Sequence, residues 1–76
     1  MVSMEAELLK EIEARALEDI LFNQSSIAET TRIREAFQED WEIQELTRAI
    51  IHDATQLIQS LQMEVENARA TRKKSA

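Results

Sequence analysis

The chain contains neither glycine nor proline. Those two residues are the ordinary helix breakers and turn formers. Without them, helix is the default state across all 76 residues. The predicted fold class is therefore all-α. A short all-helical chain has little from which to build an enzyme site and much helix surface to present to a partner.

The length allows one small domain, residues 1–76. A chain of this size buries only about 60% of the surface its unfolded form exposes, so its core is thin. There is no cysteine, hence no disulfide and no thiolate metal site. The single histidine excludes a histidine cluster. No stretch approaches the roughly 18 apolar residues of a membrane span. The start, Met1-Val2-Ser3-Met4-Glu5, lacks the basic and apolar regions of a secretory signal. A cytoplasmic location is expected. Net charge is −6, with twelve acids and four bases in residues 1–45. Such an acidic body speaks against nucleic acid as a ligand, which needs a basic face.

Ser3 is offered as an N-cap, with Glu5 and Glu7 in the first turn where negative charge suits the helix dipole. Leu8, Leu9, Ile12, Ala16 and Ile20 then fall on one side of a helix, and Ile27, Ile33 and Phe37 broadly continue it. Asn23-Gln24-Ser25-Ser26 is the weakest helix former, and Ser26 with Glu29 reads as a capping box. The apolar phase is nearly continuous across it, which favours one helix; a break there gives the alternative three-helix arrangement.

In the second half, Ile43, Leu46, Ile50, Ala54, Leu57, Leu61, Val65 and Ala68 are spaced 3, 4, 4, 3, 4, 4, 3. The mean is close to the 3.6-residue period of a straight helix. Extended backwards, this stripe lies roughly 150° from Ile33 and Phe37, so one straight helix cannot bury both. A turn at Gln38-Glu39-Asp40 resolves the conflict, with Asp40 capping the second helix and Glu42 in its first turn. The expected fold is an antiparallel helical hairpin: helix 4–38, turn 38–41, helix 41–70 and a frayed basic tail 71–76. Its predicted core stripe is Leu9, Ile12, Ile20, Ile43, Leu46, Ile50, Leu57, Leu61 and Val65.

Two helices bury one stripe each, and stable bundles normally use three or four. Leu17, Leu21, Phe22, Ile51 and Ile58 flank the stripes and stay partly wet. Trp41, at the turn, reads either as a plug over the hairpin end or as an interface anchor. These six are the candidate partner-binding residues. The partner would be another helical protein or a second copy, completing a bundle.

No residue pattern supports catalysis, a cofactor or a metal. A carboxylate metal site in a bundle wants a Glu-x-x-His step, and Ala49 stands three before His52. His52 falls roughly opposite the Ile43–Val65 stripe, exposed or at an interface. Arg69, Arg72, Lys73 and Lys74 lack interleaved aromatics and read as a solvated helix end. Gln44, Gln56, Gln59 and Gln62 read as a polar face.

Around Ala49-Ile50-Ile51-His52, in the middle of the second helix, the chain resembles the small E-type co-chaperones of bacterial type III secretion needle subunits. The likeness extends over the whole chain in size and architecture. It departs at the turn, where the family places Gly and this chain has Gln38-Glu39-Asp40. The resemblance implies a helical hairpin that joins a larger helical-repeat chaperone and keeps the needle subunit unpolymerised in the cytosol. It implies contacts through the apolar residues of both arms. Two other function classes fit the same residues: a self-assembling coiled-coil-like oligomer and a small acidic regulatory adaptor.

Overall fold

A computed structural model describes residues 4–75 as two helices, α1 (Met4–Ala36) and α2 (Trp41–Ser75), folded into an antiparallel hairpin. They contain 33 and 35 residues, and the described residues include no strand. The hairpin is a rod with Cα extents of 59 × 14 × 12 Å. The Ser3 cap lies outside the described residues; Glu5 and Glu7 occupy the first turn of α1.

α1 passes through 23–26 without interruption, so the three-helix arrangement does not occur. Of the polar side chains there, Asn23 bonds back to its own helix, and Thr31 does the same further along. Asn23 Nδ2 donates to the Asp19 carbonyl at 2.8 Å, and Thr31 Oγ1 donates to the Ile27 carbonyl at 2.8 Å. This back-bonding satisfies Asn23 and Thr31 without needing a helix end.

The turn closes without glycine because no described residue has a positive φ. α1 ends at Ala36, and the Asp40 amide donates to the Phe37 carbonyl at 3.1 Å. Asp40 then caps α2: its Oδ1 accepts from the Ile43 amide at 3.1 Å. At the other end α2 continues as helix through Ser75, past the expected bound at 70. Arg72, Lys73 and Lys74 in its last turn suit the negative end of the dipole, and Arg72 is also held by α1.

The helices meet along a seam of alternating three- and four-residue steps. On α1 it runs Ala6, Leu9, Glu13, Ala16, Ile20, Asn23, Ile27, Thr30, Arg34; on α2, Gln44, Thr47, Ile51, Ala54, Ile58, Leu61, Val65, Ala68, Arg72. Every one of these is buried or half-buried, with Ser26, Thr31 and Ile43 half-buried beside them. A 3.5-residue repeat is the pattern of a left-handed antiparallel coiled coil. Ala16, Ile20, Leu61 and Val65 form its buried apolar cluster, with Ile58 packed against them.

This seam corrects the predicted core stripe. Ile20, Leu61 and Val65 are buried and Leu9 and Ile43 half-buried, but Ile12, Leu46, Ile50 and Leu57 are 49%, 65%, 47% and 48% exposed. The stripe with a 3.6-residue spacing and the 3.5-residue seam coincide at Ala54, Leu61, Val65 and Ala68. Towards the turn they separate by one residue, about 100° around the helix. Gln44, Thr47 and Ile51 face α1 there, and Ile43, Leu46 and Ile50 are carried onto the flank.

Candidate interaction surface

Polar clasps hold both ends of the seam. At the turn end, Gln44 Nε2 donates to the carbonyls of Arg34 at 3.0 Å and Phe37 at 2.8 Å. The first belongs to the last turn of α1, where carbonyls run out of intrahelical partners, and the second to the turn just after it, where it also accepts from the Asp40 amide. Arg34 Nη1 reciprocates, donating to the Gln44 carbonyl at 2.7 Å and to Thr47 Oγ1 at 3.2 Å. The Thr47 hydroxyl in turn donates to the Ile43 carbonyl at 2.6 Å. Gln44 is thus a side-chain cap for the other helix rather than part of an outward polar face.

At the open end, the Glu13 carboxylate accepts from Arg69 Nε and, at 2.7 Å, from Arg72 Nη1. The Glu13 side chain is only 12% exposed, against 54% for Arg69 and 33% for Arg72. The Arg69 hydrogen bond, first of all, holds the Glu13 carboxyl below its usual range. Burial pushes the other way, and the positive charges of both arginines add to the lowering. Two bases that read as a solvated terminus are therefore engaged across the hairpin. The signal for this was a lone acid at a seam position, Glu13, visible only once the 3.5-residue repeat is recognised.

The six candidate partner-binding residues do not form one surface. Ile51 and Ile58 are half-buried in the seam, because the heptad repeat turns them towards α1. Leu17, Leu21, Phe22 and Trp41 are 40%, 64%, 74% and 74% exposed. Leu17 lies along a shallow groove with Ile20, Gln62, Val65, Glu66 and Arg69. Leu21 follows one turn along the same side of α1. Trp41 begins α2 at the turn.

The opposite flank carries the displaced stripe. A second shallow groove there is lined by Asn23, Ser26, Ile50, Asp53, Ala54 and Leu57. In the antiparallel register, the α1 positions just before the seam (Ile12, Asp19, Ser26, Ile33) run alongside the corresponding α2 positions in reverse order (Glu64, Leu57, Ile50, Ile43). Phe22 and Leu46 stand one step further out on the same flank. Sequence reasoning assigned Leu46, Ile50 and Leu57 to the core; the structure makes them surface.

His52 is exposed, with Nδ1 3.6 Å from Asp53 Oδ1 and Nε2 3.4 Å from Gln56 Nε2. Among the described residues, no group of three or more histidines or acids is placed to hold a metal ion. No helix among them is long and apolar enough to cross a membrane. No protein-family model, curated protein or solved structure matches the chain.

Proposed function

We propose that this chain is a protein-binding helical module without catalytic activity, whose hairpin is completed by a partner. The observation that carries this is the ratio of wet to dry apolar surface. Phe22, Trp41, Leu46 and Leu21 are each more than 60% exposed, while among the described residues no large side chain is fully buried. Burying one such side chain is worth roughly 1.5–3 kcal/mol, so a partner that covers several of them supplies much of what the thin seam lacks. In its most concrete form the module is a co-chaperone. It acts in the cytosol beside a larger helical chaperone and keeps a self-associating subunit, such as a type III secretion needle subunit, soluble. The resemblance around Ala49-Ile50-Ile51-His52 supports that form.

Photo-crosslinking in the native cell tests the reading, with the reactive group placed in turn at positions 17, 21, 22, 41 and 46. Adducts with a helical-repeat chaperone, or with a secreted subunit that polymerises when alone, are expected. Adducts only with further copies of this chain would replace the reading with self-assembly.

A further inference from the structure

We propose that the flank bearing Phe22, Ile33, Leu46, Ile50 and Leu57 docks one amphipathic helix whose apolar stripe is bordered by lysine or arginine. The proposal rests on the reading of the chain as a protein-binding module and names the face and the partner's chemistry.

The shape suits a helix. Leu46, Ile50 and Leu57 form a ridge along α2, and Ile33 and Phe22 stand across from it on α1, all between 46% and 74% exposed. The groove between them is floored by Asn23, Ser26 and Ala54, whose short side chains leave it open. From Leu46 to Leu57 is 11 residues, about 16 Å, so a partner helix of about three turns covers it.

The charge selects among occupants. Asp19, Glu29 and Asp53 border this stretch. Among the described residues, the Asp19 and Glu29 carboxylates belong to no ion pair, and Asp53 has only the His52 ring at 3.6 Å. Arg34 is engaged at the turn, Arg48 with Glu45 at 2.7 Å and Arg69 with Glu13, and the remaining base on this flank, Arg15, lies towards the open end beside Ile12 and Glu11. A second copy docking through the same face would bring the same acids to the contact from both sides. A helix with basic flanks meets them with opposite charge.

The test uses two synthetic helical peptides of about 14 residues, about 20 Å long, with one leucine stripe and either lysine or glutamate flanks. Each is fluorescently labelled and titrated with the full chain at low and high salt. The lysine-flanked peptide is expected to bind about tenfold tighter at low salt, with the gap narrowing as salt screens the flanks. The double substitution L46S/I50S should weaken its binding about tenfold, and Q56S/M63S, on the exposed outer side of α2, should leave it within about twofold. D19N/E29Q/D53N should erase the preference for lysine flanks while the chain keeps its helicity. Equal binding of the two peptides, or equal loss from both serine pairs, overturns the proposal. So does a dimer of the chain alone that L46S/I50S dissociates, which would make a second copy the occupant. If the peptides fail while cross-links still reach a partner, the face is wrong and the module reading survives. Cross-links confined to copies of this chain sink the module reading itself.

Discussion

Glu13 and Arg72 are 59 positions apart in the sequence and 2.7 Å apart in the fold. With Arg69 on the other carboxylate oxygen, they fasten the end of the hairpin furthest from its turn. A two-helix rod frays most readily at that end, because no covalent connection holds it there.

Acidification should loosen this end. The Glu13 carboxyl is held below its usual value, so its contribution to stability is complete above the unfolded value of about 4.3 and is lost as pH falls through the lower folded value. Thermal melts of the wild type and Glu13→Gln between neutral and strongly acidic pH measure it. The variant should melt lower at neutral pH, and the two curves should converge at the acid end. Parallel curves would show that the carboxylate's charge contributes nothing to the fold.

Gln44→Ala removes the side-chain hydrogen bonds to the Arg34 and Phe37 carbonyls, while Arg34 keeps its own bond to the main-chain carbonyl at position 44. The expected loss is about 1–2 kcal/mol in denaturant unfolding. Gln38→Ala, in the same turn with an exposed side chain, should change stability by less than about 0.5 kcal/mol.

Leu57 and Leu61 are one helical turn apart and should behave oppositely. Leu61 is 8% exposed within the apolar cluster, so Leu61→Ala should cost about 2–5 kcal/mol, enough to unfold a large fraction of so small a domain. Leu57 is 48% exposed on the flank, and Leu57→Ala should stay within about 0.5 kcal/mol. Circular dichroism of both variants at one temperature separates them directly. Similar losses would mean that Leu57 belongs to the core.

The helices and the hairpin were legible because they depend on local chemistry. The missing Gly and Pro set the helical state, and Asp40 advertised the start of α2 through its capping chemistry. The choice of buried face was not legible, because polarity and burial part company on the seam. Glu13, Thr30 and Thr47 are buried, while Leu46 and Ile50 are exposed. A search for the most apolar stripe therefore settles on the flank. The two faces agree only at Ala54, Leu61, Val65 and Ala68, which serve both repeats. The clasps were hidden for a related reason: Arg34 with Gln44, and Glu13 with Arg72, are pairings between helices, and one-dimensional periodicity carries no register.

That register is the consequence of the two clasps. An apolar seam alone tolerates sliding, since a shift of one heptad, about 10 Å, sets similar residues side by side. Here such a slide would pull Gln44 off the Arg34 and Phe37 carbonyls and draw Glu13 away from its arginines at the same time. Like the two end marks of a vernier, the polar contacts agree at one alignment only, so whatever reads the side of this rod meets its residues at fixed intervals.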